Sequence, residues 1–243
     1  MGEELVNTLN ITDDLSSLDY SVLSKSNDPV FQGYKLYGNK NLKKYDSLVL
    51  GFTGKLISNS DAKKLISSLY RKNLSSNHLD IGPGSGYFLD NTPFPTDNPK
   101  LVLSDIHPDC LSYCAKRLTR YNPLFFQTNI LSPFQVNTTF DSISMNWVLH
   151  CIPGQLNQKL NVVCRNIVPI LNRKGIFFGS TVIGKKGKFN FFGNVFNYVY
   201  NWMGVFSNLD DDVESLKKIL EKYFDNVNIT IHGSLALFSG VAK

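Results

Sequence analysis

The chain has 243 residues, of which 42% are hydrophobic and 19% are charged. This length and composition are typical of a globular protein with one full hydrophobic core, and they exclude an intrinsically disordered chain. The net charge of +5 is mild and no long basic block is present, so the sequence does not favour a nucleic-acid partner.

The sequence lacks the patterns that are typical of membrane-spanning, secreted and metal-binding proteins. No run of about 18 apolar residues is present, as a membrane-spanning helix would need, and the first residues lack the basic start and apolar centre of a signal peptide. The four cysteines have no C-x-x-C spacing. We therefore expect a cytoplasmic protein with no transmembrane segment, no disulfide framework and no bound metal.

The chain begins with a segment of weak periodicity. Residues 1–58 are predicted to form an N-terminal extension or cap, with one or two helices between Pro29 and Ile57. From Ser60 to Tyr70, an N-cap signal precedes apolar residues at helical spacing, which predicts an amphipathic helix packed on a first strand. Residues 59–243 are predicted to form the main domain.

A glycine-rich turn follows this helix. A short apolar run ends in Asp80, and Gly82, Gly84 and Gly86 then occupy every second position. Glycine can adopt positive φ and lets a ligand lie against the backbone, so the turn is predicted to contact a ligand. The spacing is one residue tighter than the G-x-G-x-x-G dinucleotide fingerprint, and no Gly-Lys-Ser/Thr follows, which excludes a P-loop.

The rest of the chain alternates between predicted strands and helices. Pro93, Pro95 and Pro99 keep the helix after the turn short. The later predicted elements are strands at 101–105, 124–130, 140–145, 175–183, 227–232 and 235–242, and helices at 108–120, 155–171 and 209–224.

Two motifs together resemble the class I S-adenosylmethionine-dependent methyltransferases over roughly residues 60–243. One is the D-x-G-x-G-x-G turn, and the other is Asp105, which ends a buried strand about 20 residues later. The stretch from Asn146 to Gly154 also resembles the N-x-x-L-H-C-x-P-G form of small-molecule members. The resemblance implies an α/β fold: a doubly wound, Rossmann-like, seven-stranded sheet with an antiparallel last strand.

The resemblance also implies S-adenosylmethionine as the cofactor, and it assigns the contacts residue by residue. Asp80 takes the place near the cofactor amino group, the glycine turn lies along the amino acid portion and ribose, and Asp105 binds the ribose. An alternative for Asp105 is that it caps the helix that begins at Pro108. The other implied cofactor residues are Ile106 and His107 beside the adenine, Asn129 where the family usually has an acid, Ile130, Asn146, Trp147 and Tyr45.

The methyl acceptor is implied to lie beside the turn after the fourth strand. His150 is the candidate general base there, because a histidine pKa near neutrality suits proton transfer from an acceptor hydroxyl or acidic carbon. A satisfied structural histidine is the alternative. Tyr34 and Tyr37 of the N-terminal extension are candidate acceptor contacts, with aromatic core packing as their alternative role.

An insertion at about 184–208 places three lysines before a dense run of aromatic residues. The aromatic residues are too dense and too evenly separated by polar residues for a plain helix. In the methyltransferases that the chain resembles, an insertion after the fifth strand covers the acceptor pocket. The resemblance therefore implies a lid, with Phe192, Tyr198 and Trp202 contacting the acceptor. Two alternatives remain open: a membrane-surface element and a base-stacking platform for single-stranded nucleic acid.

The predicted function is S-adenosylmethionine-dependent methyl transfer to a small molecule that is apolar or aromatic. An oxygen or carbon acceptor is favoured, and nitrogen remains an alternative. The competing hypotheses are a nucleic-acid or protein methyltransferase and a non-catalytic partner protein that keeps the cofactor fold. The sequence makes no prediction of oligomeric state.

Overall fold

The structure is a computed structural model that describes residues 11–24, 46, 61–134 and 136–243. Its centre is one seven-stranded sheet with the strand order β3-β2-β1-β4-β5-β7-β6. The strands are β1 (Asn77–Ile81), β2 (Lys100–Asp105), β3 (Leu124–Gln127), β4 (Phe140–Asn146), β5 (Leu171–Val182), β6 (Phe224–His232) and β7 (Leu235–Ala242). Strands β1 to β5 are parallel, and β7 lies antiparallel between β5 and β6. The predicted Rossmann-like sheet with an antiparallel last strand is confirmed.

Six α-helices surround the sheet in the described part of the chain. They are α1 (Ala62–Asn73), α2 (Tyr87–Asp90), α3 (Pro108–Arg117), α4 (Leu156–Ile167), α5 (Phe191–Trp202) and α6 (Val213–Tyr223). Within these ranges, no helix has the length and hydropathy needed to cross a bilayer.

Local side chains fix where several helices begin. The Asp61 side chain accepts from the Lys64 amide at the start of α1, and the Asp212 side chain accepts from the Ser215 amide at the start of α6. Helix α3 begins with Pro108 at its first turn, as predicted, because proline fixes a helical φ and needs no partner for a missing N–H.

Several predicted boundaries were wrong, among them the start of α6, which is Val213 rather than position 209. Strand β3 ends at Gln127 rather than at position 130. Helix α4 ends at Ile167, before position 171, because Pro169 shortens it as the sequence predicts and lies in a following 3-10 turn, Val168–Ile170. Strand β5 begins at Leu171, four residues earlier than predicted. Leu171 pairs with Phe140 before the β4–β5 register shifts.

Buried apolar side chains cover both faces of the sheet. On one face, Leu160 and Val163 of α4 and Leu216 of α6 belong to one core cluster. On the other face, Ile66 of α1 and Leu111 of α3 belong to a second cluster. Since β1 lies between β2 and β4, the strand order reverses between β1 and β4, and the carboxyl ends of both strands open into the crevice where doubly wound sheets bind ligands.

The described residues 11–24 lie along the outer strand β3. Thr12 forms an antiparallel bridge with Phe125, and the Asp19 amide donates to the Gln127 side chain over 2.7 Å. Most of the predicted extension at 1–58 lies outside the described residues, so the proposed domain boundary stays a prediction.

Candidate active site

An open cavity of about 640 Å³ lies at the carboxyl ends of the parallel strands. A second cavity of about 330 Å³ adjoins it and shares four of its lining residues: Gly82, Gly84, Asn146 and Trp147. Together they form one elongated site. The first cavity is further lined by Ile81, Ser104, Asp105, Ile106, Cys110, Thr128, Ile130, Val148, Cys151 and Ile152, and the second by Tyr70, Pro83, Ser85, Tyr87 and Phe88.

The glycine turn has the left-handed backbone that its sequence predicts. Gly82, Gly84 and Gly86 have φ of 67°, 56° and 72°. A Cβ on Gly82 would lie 2.2 Å from Val148 Cγ2, so a side chain there would be strained and would collide with the cavity wall. Gly86 lies outside the lining of both cavities. It begins α2 and packs against Cys114, so its role is to let α2 approach α3 closely.

Asp80 is buried near the end of β1, and only one of its two carboxylate oxygens has a hydrogen-bond partner within the described part of the chain. The Tyr70 hydroxyl donates to Oδ2 over 2.6 Å, whereas Oδ1 has no hydrogen-bond partner among the described residues. Burial raises the pKa of Asp80 to about 7. Asp80 itself lies outside the lining of both cavities, but its chain neighbour Ile81 and its partner Tyr70 line them. A buried acceptor without a partner so close to a cavity is explained if a ligand donor completes it.

Tyr70 is a site residue that the sequence reasoning missed. Tyr70 lies on the buried face of α1, where its ring stacks on Phe88 and contacts Phe178 edge-on. Its hydroxyl nevertheless reaches Asp80, and burial raises the pKa of Tyr70 well above its ordinary value. A tyrosine, rather than an aliphatic residue, at a buried helix position was the only sequence signal.

Asp105 lines the first cavity at the end of β2. Its carboxylate accepts from the His107 amide over 2.8 Å, and burial raises its pKa to about 7. Asp105 does not cap α3, since the His107 ring takes that role by accepting from the Asp109 amide. His107 itself lies outside the lining of both cavities, while Ile106 lies in the lining of the first.

The wall after β3 differs in detail from the expectation. Ile130 lines the first cavity, but the Asn129 amide oxygen accepts from the Leu131 amide over 2.9 Å and Asn129 lies outside the lining. Thr128, which the sequence reasoning missed, lines the cavity instead. Ile106, Ile130 and Ile152 give this end an apolar surface suited to a flat ring.

Asn146 and Trp147 line both cavities at the end of β4. The Asn146 side-chain oxygen accepts from the Ser180 hydroxyl over 2.9 Å, while its Nδ2 and the Trp147 indole nitrogen are buried donors without partners in the described structure. Trp147 has a φ of 56°, which is rare for a bulky residue. A hydrogen bond from the Trp147 backbone N–H to the Ser180 carbonyl stabilises this conformation.

His150 occupies a structural position outside the lining of both cavities. Its ring is buried against Phe206, and the Val182 amide donates to its Nδ1 over 3.3 Å. Burial, and secondarily the charge of Lys159, lower the pKa of His150 to about 3. A neutral imidazole with so low a pKa is a weak base, so this geometry does not support His150 as the general base and fits the structural alternative.

The predicted lid segment forms the regular helix α5, so the expectation that its aromatic density excludes a plain helix was wrong. Phe192, Tyr198 and Trp202 are 70%, 66% and 80% exposed. They lie outside the lining of both cavities, in contrast to the acceptor contacts predicted for them. The other predicted contacts, Tyr34, Tyr37 and Tyr45, lie outside the described residues.

Asp46 connects the N-terminal region to the glycine turn. Its carboxylate accepts from the Ser85 hydroxyl over 2.5 Å and pairs with Arg117 over 2.7 Å. Arg117 also pairs with Asp90 over 2.9 Å. Asp46 therefore lies beside the turn, a contact that no local sequence pattern predicted.

The chemistry of these residues fits S-adenosylmethionine. A carboxylate oxygen without a partner suits an ammonium group, and a buried carboxylate suits a ribose diol. The glycine turn leaves the backbone accessible, and the isoleucine wall suits an adenine. No cluster of three or more histidine, cysteine or acidic residues that could hold a metal occurs in the ranges described.

Comparison with known proteins agrees with this geometry. A family described as "Methyltransferase domain" matches residues 79–179. The chain is 33% identical to the "Physcion biosynthesis cluster O-methyltransferase" of Aspergillus chevalieri, over 88% of this chain and 96% of that protein. It is 31% identical to the "Demethylluteothin O-methyltransferase" of Streptomyces thioluteus, over 86% and 90%.

A solved structure shares the fold at low sequence identity. The N-methyltransferase NodS from Bradyrhizobium japonicum WM9, in complex with S-adenosyl-L-homocysteine, superposes with a TM-score of 0.57. The identity is 14%, over 84% of this chain and 97% of that chain. With the sheet order, the glycine turn and the relatives agreeing, the chain belongs to the class I S-adenosylmethionine-dependent methyltransferases and is an enzyme of methyl transfer.

Proposed function

We propose that the chain binds S-adenosylmethionine in the elongated cavity and methylates an oxygen of a small, apolar or aromatic molecule. The observation that carries the cofactor half of the proposal is the buried Asp80 Oδ1 without a partner beside the glycine turn. The support for an oxygen acceptor is the likeness to two O-methyltransferases that covers nearly their whole lengths.

Each part of the cavity has a proposed task. Asp80 accepts hydrogen bonds from the cofactor amino group, and the backbone at Gly82 and Gly84 supports the amino acid portion. Asp105 accepts from the ribose hydroxyls, and the apolar wall at Ile106 and Ile130 holds the adenine. Asn146 and Trp147 offer donors at the junction of the two cavities, where the cofactor and acceptor would meet.

When bound, S-adenosylmethionine supplies a methyl group on a sulfonium whose leaving group is a neutral thioether. Because such a leaving group needs no proton, the chain's residues contribute mainly by orienting the reactants and excluding water. A carboxylate at Asp80 also offsets the positive charge brought into the buried site.

His150 is buried outside the lining of both cavities and accepts from the Val182 amide, so it is not placed to take a proton from an acceptor there. If no strong base removes the acceptor proton, the acceptor hydroxyl must ionise readily on its own, as a phenol or enol conjugated to a carbonyl does. We therefore propose an acidic hydroxyl as the acceptor. A carbon or nitrogen acceptor remains the second candidate, which the products of the assay below distinguish.

The direct test is transfer of labelled methyl groups from S-adenosylmethionine to a panel of carbonyl-conjugated phenols and enols, with amines, RNA and protein as comparison substrates. We expect O-methylated small-molecule products, and a pH dependence of turnover that follows the pKa of each acceptor. Label found only in RNA or protein would contradict the proposal.

The cytoplasmic location also stays a prediction, which fractionation of cells that express the chain would check.

A further inference from the structure

Helix α5 is oriented with its apolar face outwards. Its large, exposed apolar residues recur at helical spacing: Phe191, Phe192, Val195, Tyr198, Val199, Trp202 and the adjoining Met203. The four aromatic residues among them are 66% to 80% exposed. From typical aromatic side-chain areas, these four alone present on the order of 600 Å² of surface, the upper end of what monomeric proteins leave exposed.

Hydrogen bonds and ring contacts fix this orientation. The buried side of α5 carries asparagines: Asn201 bonds Asn208 over 2.8 Å, and Asn208 in turn donates to the Val182 carbonyl at the end of β5. Phe196 and Tyr200 pack on Phe206. Rotating the apolar stripe inwards would break these contacts, so the outward face is a specified feature of the fold.

The charge next to this face is positive. Lys185, Lys186 and Lys188 are exposed in the turn that leads into α5. No acidic residue occurs between positions 184 and 209. Of the acids that follow, Asp210 is exposed, Asp211 is paired with the buried Lys159, and Asp212 caps α6. The charge of Lys185 contributes to lowering the pKa of Asp212.

Shape and composition distinguish the occupants that could cover this face. A stable dimer buries about 800 Å² on each partner across a broad patch with a polar rim. Helix α5 is instead one convex helix, about 18 Å long for 12 residues. A bilayer surface accepts a convex helix, and tryptophan, tyrosine and lysine are the side chains that favour its interface.

We propose that α5, with the lysines that precede it, docks the enzyme on a membrane surface that contains anionic lipids. The helix lies in the interfacial plane, with Phe191, Phe192 and Trp202 inserted among the acyl chains and the lysines beside the lipid phosphates. This placement would bring the enzyme to the phase in which an apolar acceptor accumulates, although the docking itself does not depend on which acceptor is methylated.

Flotation of the full chain with vesicles tests this proposal. The vesicles are phosphatidylcholine alone or an equimolar mixture of phosphatidylcholine and phosphatidylglycerol. We expect binding to the mixed vesicles that weakens with salt. The triple variant Phe191→Ser/Phe192→Ser/Trp202→Ser is expected to bind the mixed vesicles at least tenfold more weakly. The variant Lys185→Gln/Lys186→Gln/Lys188→Gln is expected to lose on the order of a hundredfold in affinity at low salt, because each lysine near an anionic surface contributes about fivefold.

Matched variants separate docking from general surface effects. Tyr20→Ser/Leu23→Ser/Ile231→Ser removes exposed apolar residues elsewhere, and Lys116→Gln/Lys217→Gln/Lys218→Gln removes the same charge from α3 and α6. Both are expected to bind vesicles like the unmodified chain, and all variants are expected to keep its affinity for S-adenosylhomocysteine.

Three results would overturn the proposal. One is the absence of binding to both kinds of vesicle by a chain that still binds S-adenosylhomocysteine. The second is equal loss of binding in the matched variants. The third is a dimer by light scattering that the aromatic triple variant converts to monomer without any vesicle binding, which would make this face an interface between two copies.

Discussion

Two buried carboxyl groups, Asp80 and Asp105, define the site at the scale of single residues. Each ends a neighbouring parallel strand, and burial raises the pKa of each to about 7. Near neutral pH, each of these carboxyls is therefore protonated in some molecules and ionised in others when no ligand is bound. A ligand that carries positive charge shifts that balance, so cofactor binding and proton release are linked.

The linkage predicts a pH-dependent affinity. An ammonium group beside Asp80 favours the carboxylate, so binding lowers the pKa of Asp80 from about 7. Affinity for S-adenosylhomocysteine should be nearly constant above this pH and should weaken as pH falls through it, approaching tenfold per pH unit. Calorimetry across this range measures the slope. Asp80→Asn should remove this part of the dependence, and an unchanged slope in that variant would contradict the assignment.

Tyr70 is predicted to hold Asp80 in its ionised form. Its hydrogen bond to Oδ2 lowers the pKa of the carboxyl against the effect of burial. Tyr70→Phe should therefore move the midpoint of the pH dependence to higher pH. It should also weaken S-adenosylhomocysteine binding at neutral pH by about tenfold, which is the usual contribution of a hydrogen bond to a charged group. Tyr223→Phe removes a hydroxyl from α6 and is the matched control. Equal midpoints for the two variants would rule out the role of Tyr70.

His150 is predicted to act through its hydrogen bond rather than as a base. Asparagine can keep an acceptor for the Val182 amide but cannot take up a proton near neutral pH, whereas alanine leaves that buried amide unpaired. We expect His150→Asn to keep most of the turnover and His150→Ala to lower both the melting temperature and the turnover. Equal, large losses of turnover in two folded variants would instead restore the catalytic base.

Secondary structure elements differ in how far the sequence predicted them. The first two strands and the turn between them were predicted because each apolar run ends in an acid and the glycines mark the turn. Strand β3 was overestimated because Thr128 and Asn129 continue a strand-like pattern, although Asn129 instead forms a local turn bond. Helix α5 was misjudged because its apolar face is exposed, and periodicity alone does not tell which face of a helix is buried.

A buried ion pair joins two elements near His150. Lys159 of α4 and Asp211, just before α6, have side chains that are 1% and 2% exposed, with Nζ 2.9 Å from Oδ2. Lys159 also donates to the Ser207 carbonyl, in the loop that follows α5. Burial raises the pKa of Asp211 to about 6 and lowers that of Lys159, so each charge depends on the other.

Removing one member of this pair should destabilise the fold more than removing both. Lys159→Met leaves the Asp211 carboxylate buried without its partner, which should cost about 3–5 kcal/mol of unfolding free energy at neutral pH. The loss should shrink as pH falls, because protonation removes the unpaired charge. The double variant Lys159→Met/Asp211→Leu should recover most of the stability in urea unfolding. Additive losses in the double variant would show that the pair does not couple.

At the scale of the whole molecule, the site combines segments that are distant in sequence. The cavity takes lining residues from the ends of β1, β2 and β4 and from the loop after β3. The sequence predicted these segments because a doubly wound sheet brings the carboxyl ends of its parallel strands together. It missed Tyr70 and Asp46, since a tertiary hydrogen bond between residues that far apart leaves no local pattern.

Two regions of the molecule differ in what they present to the surroundings. One is the cavity, which combines buried polar groups without partners in the described residues and an apolar wall, and the other is the apolar outer face of α5. The cavity is the proposed site of methyl transfer, and the face of α5 is the proposed site of membrane docking. Since the residues of the two sets do not overlap, variants can test them separately.

The measurement that tests the central claim most directly is calorimetry of S-adenosylmethionine and S-adenosylhomocysteine binding to the unmodified chain and to Asp105→Ala. Asp97→Ala, which removes an exposed carboxyl, is the control. We predict micromolar binding by the unmodified chain and by the control, and a loss of at least tenfold for Asp105→Ala, because the ribose hydroxyls lose a buried charged acceptor. A folded chain that binds neither ligand, or an Asp105→Ala variant that binds both as tightly as the control, would contradict this account of the site.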